Sequence, residues 1–148
     1  MAVNQIVVCT DFSDHAEVAF QTALDLTQRY HAKLYVVHVL PPVINPMLTD
    51  TDMILPEHPD ENLVVSLNER MQEVYGNRIP EAVDCELVVR DGHVSTEIIR
   101  FIEETDADLV VVGAFGLSGM GLVLFGSVAK RISHKAPCSV MIVRSKKA

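Results

Sequence analysis

Leu109-Val110-Val111-Val112-Gly113-Ala114-Phe115-Gly116 opens the stretch on which the fold turns, and it continues through Gly119, Gly121 and Gly126-Ser127-Val128 to Ser139–Val143. The first four residues form an uninterrupted apolar run, β-branched from Val110 to Val112, after the turn-forming Asp106-Ala107-Asp108, the pattern of a strand buried on both faces. Gly113 ends that run. Ser127 then opens a helix predicted over Val128–His134. Strand, glycine-rich loop and helix N-terminus together make a site for anions. Glycines let the backbone approach closely, while unpaired N–H groups and the positive end of the helix dipole face the ligand.

Charge supports that reading. No Asp or Glu occurs from Gly113 to Ala148, although the chain carries a net charge of −8. Lys130, Arg131, Lys135, Arg144, Lys146 and Lys147 all lie there, half of its 12 basic residues. An acid-free loop in an acidic chain favours an anionic ligand. The alternative is a structural turn followed by a basic tail.

A length of 148 residues suits one domain, spanning 1–148, with a real core. A pI near 5.1 excludes non-specific nucleic-acid binding, which needs a broad basic surface. Neither a long apolar run nor a signal-peptide pattern is present, so no membrane insertion is expected and the expected location is cytoplasmic. Cys9, Cys85 and Cys138 are far apart in apolar settings and read as buried structural thiols. The six histidines show no metal spacing, so no metal ligands are assigned.

From the N-terminus, Gln5–Thr10 is a strand that runs into Asp11-Phe12-Ser13-Asp14. Asp14 and Glu17 read as a capping box for a helix from His15 to Tyr30, with Ala16, Ala19, Phe20, Ala23, Leu24 and Thr27 facing inward. Lys33–Leu40 is a second buried strand. The segment 41–60 holds five of the seven prolines and reads as a long surface insertion. A helix over Glu61–Tyr75 follows, with Leu63, Leu67, Met71 and Val74 on one face. Ala82–Val89 is the third strand, and Ser95 is expected to cap a helix over Thr96–Glu104. The last strand is Ser139–Val143.

Alternating strands and helices imply an α/β fold, an open parallel sheet with helices on both faces, because parallel strands need right-handed crossovers. Ligands of such Rossmann-like sheets bind at the carboxyl ends of the strands, where the strand order reverses. The ends Thr10-Asp11, Arg90-Asp91-Gly92 and Gly113–Gly116 are available to line one pocket.

The whole chain resembles the universal stress protein family. The likeness runs from Ile6-Val7-Val8-Cys9-Thr10-Asp11-Phe12-Ser13 through Val37-His38-Val39 to Ala136-Pro137-Cys138-Ser139-Val140. It is strongest at Gly113-x2-Gly116-x9-Gly126-Ser127, the nucleotide-loop spacing of the family's ATP-binding branch. The resemblance implies five parallel strands in the order 3-2-1-4-5. It also implies a nucleotide site in which Cys9, Thr10 and Asp11 lie beside the nucleoside and Val39 meets adenine through its backbone. Val112, Gly113, Gly116, Gly126, Ser127 and Val128 would then surround ribose and phosphates. Each residue has a plainer role open to it: Asp11 as a cap, Val39 as core, Ser127 as an N-cap, Gly113 and Gly116 as turn formers. Ala114-Phe115 and Leu117 stand where many members carry polar or basic residues, which leaves phosphate binding chiefly to backbone N–H groups.

The expected function is that of a stress-response regulator which holds or senses ATP (or ADP or AMP), with Mg²⁺, and acts through an unknown protein partner. A homodimer through Ser139–Val143 is expected as well, because an apolar sheet edge invites pairing. Catalytic residues are not assigned. Lys130 and Arg131 read as solvated charges, and Asp11 is the one carboxylate expected in the crevice, so at most a slow ATPase is foreseen. A dimerisation module that binds no nucleotide is the alternative. The chain has no His-x-Gly-His motif, early Ser-Gly-Gly loop or Gly-x4-Gly-Lys-Ser/Thr loop, which sets aside nucleotidylyltransferase, ATP pyrophosphatase and P-loop chemistry.

Overall fold

The computed structural model describes residues 2–42, 61–115 and 126–145. Gly116, Leu117, Gly119, Gly121, Lys146, Lys147 and nearly all of the 41–60 segment therefore lie outside the described residues. The elements in chain order are β1 (Gln5–Cys9), α1 (Asp14–Tyr30), β2 (Lys33–Leu40), α2 (Glu61–Val74), β3 (Cys85–Asp91), α3 (Val94–Thr105), β4 (Leu109–Gly113), α4 (Ser127–Lys135) and β5 (Ser139–Val143). A short 3-10 turn, Gly76–Arg78, follows α2. All strand pairs are parallel, in the order β3-β2-β1-β4-β5. That is the expected open α/β sheet.

Strand side chains alternate, and the alternation builds two cores. Ile6 and Val8 of β1, Leu34 and Val36 of β2, and Leu109 and Val111 of β4 pack with Ala19, Phe20 and Ala23 of α1 and Met71 of α2. Val7, Tyr35, Val37, Val39, Val110 and Val112 point the other way, against Ile98, Phe101 and Ile102 of α3 and Ala129 and Ile132 of α4. Burying an Ile or Phe side chain of this kind contributes about 1.5–3 kcal/mol. Because both faces are covered, the central strands read as continuous apolar runs.

Several boundaries differ from the sequence expectation, each for a physical reason. Helix α1 begins at Asp14, and its cap is Ser13, whose hydroxyl accepts the Ala16 N–H (3.2 Å). The Asp14–Glu17 capping box does not form: both acids sit in the first turn, where they complement the helix dipole. Strand β3 is shifted towards Asp91, since its register with β2, Leu34↔Cys85 to Leu40↔Asp91, sets its extent. Gly92, at φ 133°, then turns the chain directly into α3. The helix thus starts early, with His93 at the N-cap, and Ser95 is a buried first-turn residue instead of a cap. On α2, Met71 is buried, whereas Leu63, expected on the inner face, is 41% exposed.

Candidate functional site

Strands β1 and β4 are neighbours in register Ile6↔Leu109 to Val8↔Val111, yet they are joined by no direct crossover. Their chains leave the sheet in opposite directions, β1 into α1 and β4 towards α4. The strand order reverses here, and the crevice opens here. A cavity of about 300 Å³ lies at this point. From β1 and its exit come Cys9, Thr10 and Asp11; from β2, Val39; from β4, Val112 and Gly113; from the start of α4, Gly126, Ser127 and Val128. The structure thus brings together every candidate site residue except Gly116, which lies outside the described residues.

The wall also contains Ala16, Val37, Val94, Ile98, Phe115 and Ala129, which the sequence reading did not nominate. Two signals were available for them. Val37 shares a sheet face with Val39, and Ile98 belongs to the apolar stripe of its helix. The third expected strand end, Arg90-Asp91-Gly92, does not line the cavity. Arg90 instead pairs with Glu104 and lies over the Phe101 ring (4.9 Å).

Thr10 is the hub of the β1 exit. Its N–H donates to the Val37 carbonyl (2.9 Å), and its hydroxyl oxygen accepts the Phe12 N–H (2.9 Å) and is hydrogen-bonded to the Tyr75 hydroxyl. His38 Nδ1 donates to the Thr10 carbonyl (2.8 Å); a carbonyl only accepts, so the ring proton sits on that nitrogen. Phe12 adopts φ 64°, the left-handed region, at a cost of about 1–2 kcal/mol. Its ring is held by Arg70 (4.0 Å), His38 (4.8 Å) and Tyr75 (5.9 Å). This tight turn aims the backbone so that Asp11 faces the crevice, where its carboxylate also accepts the Ser13 N–H (3.0 Å).

Across the crevice, Gly113 has a packing role. A Cβ there would lie 2.9 Å from the His15 carbonyl oxygen, so only glycine lets α1 approach β4 this closely. Ala114 spends both backbone groups: its N–H donates to the Val143 carbonyl (2.9 Å) and its carbonyl accepts the Gly126 N–H (2.6 Å). Gly126 is the N-cap of α4 and Ser127 its first residue, so the expected Ser127 cap is displaced by one position, with no side-chain hydrogen bond capping the helix. The Ser127 and Val128 N–H groups stand in the first turn, where helical N–H groups have no intrahelical partner.

Polar side chains in this wall are few: Thr10, Asp11, Ser127 and the Cys9 thiol. Burial pushes the Cys9 pKa up to about 12, so the thiol stays protonated. Asp11 is the one carboxylate among the described lining residues. Among the described residues no group of three or more His, Cys, Asp or Glu side chains is placed to hold a metal ion. Lys130 is exposed, as expected of a solvated charge. Arg131 is exposed as well, as expected, and borders a second cavity beside the first.

Comparison with known proteins bears on this arrangement. The sequence profile of the Universal stress protein family matches residues 2–144. The chain belongs to the universal stress protein family. Among its relatives, the universal stress protein MJ0531 of Methanocaldococcus jannaschii is 31% identical over 149 residues, covering 97% of this chain and 84% of the relative. The universal stress protein UspA from Lactobacillus plantarum superposes with a TM-score of 0.74 at 25% identity, covering 97% of this chain and 99% of that one. A universal stress protein from Archaeoglobus fulgidus, solved in complex with dAMP, superposes with a TM-score of 0.58 at 26% identity, covering 96% and 98%. The parallel strand order 3-2-1-4-5 that the family resemblance implies is the order observed. No helix among the described residues is long and apolar enough to cross a membrane.

Proposed function

We propose that this universal stress protein binds an adenine nucleotide in the β1–β4 crevice and acts through the protein partners it meets in that state. The carrying observation is the cavity itself, in which an apolar slot from β2 and α3 meets a side-chain-uncapped helix start on α4. Val37, Val39, Val94 and Ile98 offer a planar base an apolar slot. Asp11 and Gly113 stand beside the ribose, and Gly126, Ser127 and Val128 receive phosphate, with Gly116 expected to complete the loop. A volume of about 300 Å³ is at the lower end for small-molecule sites. The dAMP complex of the Archaeoglobus relative supports the ligand class.

ATP, ADP and AMP all suit this reading. For ATP, a Mg²⁺ ion held by the phosphate oxygens would offset their charge, since this chain has no P-loop lysine. The protein holds nucleotide with little turnover. Hydrolysis needs a positioned water and a base, and Asp11, the one carboxylate among the described lining residues, is engaged at the base of α1. A homodimer through β5 fits the exposed sheet edge.

Mass spectrometry of the purified protein tests the ligand class. An adenine nucleotide released on denaturation is the expected result. The reading fails if none is released and calorimetry detects no binding of AMP, ADP or ATP.

A further inference from the structure

A second cavity, of about 290 Å³, shares Val94, Ser127 and Val128 with the first. Its remaining wall is Pro41, Pro42, His93, Ser95 and Arg131. Arg131 follows Ser127 by four positions, so the two project from the same face of α4. None of the described residues around this cavity is a carboxylate, in a chain of net charge −8.

Arg70 lies over the Phe12 ring. Four of the other arginines are tied up by carboxylates: Arg29, Arg78, Arg90 and Arg100 each form an ion pair. Arg131 forms none with a described residue. A guanidinium offers a planar fork of donors that matches a phosphate, and Arg131, exposed on α4, borders this cavity. His93 is also anchored: its Nδ1 lies 3.0 Å from Thr96 Oγ1 and 3.3 Å from Ser95 Oγ, which leaves Nε2 for a ligand. Both helices that meet here, α3 and α4, start without a side-chain cap hydrogen bond.

We propose that this second cavity is an anion subsite for the phosphates beyond the first, with Arg131 as the principal contact and His93 as the second. The proposal rests on the nucleotide reading of the first cavity and extends it. Ser127 is the shared post: the phosphate next to the ribose lies on its first-cavity side, and the rest of the chain turns towards Arg131. Ligand choice among AMP, ADP and ATP then depends on Arg131, because a monophosphate does not reach it.

The test is calorimetry on the parent, Arg131→Gln and His93→Gln, with AMP, ATP and inorganic pyrophosphate as separate probes. Glutamine keeps helix propensity and length, and thermal unfolding of each variant reports whether the fold is retained. Arg131→Gln is expected to weaken ATP by roughly tenfold, the usual size for a lost charge-assisted hydrogen bond, and to leave AMP within about twofold. Pyrophosphate should bind the parent and be lost in Arg131→Gln, with a smaller loss in His93→Gln. Equal binding of ATP by parent and Arg131→Gln overturns the proposal, as does an equal loss of AMP and ATP. If the parent binds pyrophosphate through Arg131 but no adenine nucleotide, the subsite stands and the nucleotide reading of the first cavity falls. If the parent binds neither, both fall.

Discussion

The Tyr75 hydroxyl, just beyond α2, hydrogen-bonds the Thr10 hydroxyl at the end of β1, a buried contact between residues 65 positions apart. It ties a peripheral helix to the turn that aims Asp11 into the crevice. Through the Phe12 ring, which stacks with Tyr75 and is contacted by Arg70, the same part of the chain also holds the strained backbone at Phe12.

Tyr75→Phe keeps the ring packing and removes the hydroxyl, which leaves the Thr10 hydroxyl with the Phe12 N–H. The expected loss is about 0.5–1.5 kcal/mol. Tyr75→Ala should lose about 3–5 kcal/mol, because the ring is one of the largest fully buried side chains. Urea unfolding of both variants checks the order; a Phe variant as unstable as the Ala variant would show that the hydroxyl, and not the ring, dominates.

Gly113→Ala should be destabilising by about 1–3 kcal/mol, the range for overpacking a tight contact. The added methyl meets the backbone of His15, 2.9 Å from its carbonyl oxygen, so α1 must move. A melting temperature equal to the parent's would refute the close approach of α1 to β4.

Much of this was legible in the sequence because the signals were local. Buried strands such as Leu109–Val112 announce themselves as continuous apolar runs rich in valine, and α1 by the period of Ala16, Ala19, Phe20 and Ala23. Of the glycine spacing, Gly113 and Gly126 lie in the crevice wall, and Gly116 lies outside the described residues. What escaped depends on residues distant in sequence. Tyr75 reads as the end of an amphipathic helix, with nothing nearby to show that it reaches Thr10. Gly113 reads as a loop glycine, while its tight contact is with α1. Arg131 reads as solvated and is exposed; the cavity it borders, formed where α3 meets α4, is what the sequence does not show. Strand β3 was misplaced because pairing with β2, and not its own apolar content, sets its ends.

The thiols give a pH prediction with a definite sign. Burial raises Cys9 to about 12 and Cys85 to about 11 from an ordinary 9.0. Each contributes stability that is fully present below pH 9.0 and is lost as pH rises through those folded values, because the unfolded chain ionises first. Glu17 acts at the other end of the scale: its hydrogen bond from Arg78 lowers its pKa, so that contribution is present above the ordinary carboxylate range and is lost as pH falls through the lowered value. Unfolding free energy measured from pH 3 to 11 should therefore fall on both flanks. In native protein at pH 8, Cys9 should react with iodoacetamide far more slowly than in urea; equal rates would contradict its burial.

The edge strand β5 offers a test of the proposed dimer. Val140 and Ile142 pack inward against the α3–α4 core, so charging them would damage the fold, whereas Met141 is 37% exposed. Met141→Lys should shift a parent dimer towards monomer in sedimentation velocity without lowering the melting temperature. A parent that is monomeric at all concentrations would remove the dimer from the account.

The central claim is that phosphate is received at the start of α4, and Gly126→Val tests it most directly. Gly126 has φ −63° and ψ 154°, angles that a β-branched residue accepts, so the fold should survive. Valine there puts two methyl groups on the wall of the cavity beside Ser127. Calorimetry with AMP and ATP should show binding to the parent and none to the folded Gly126→Val variant; a folded variant that binds both nucleotides like the parent would contradict the account.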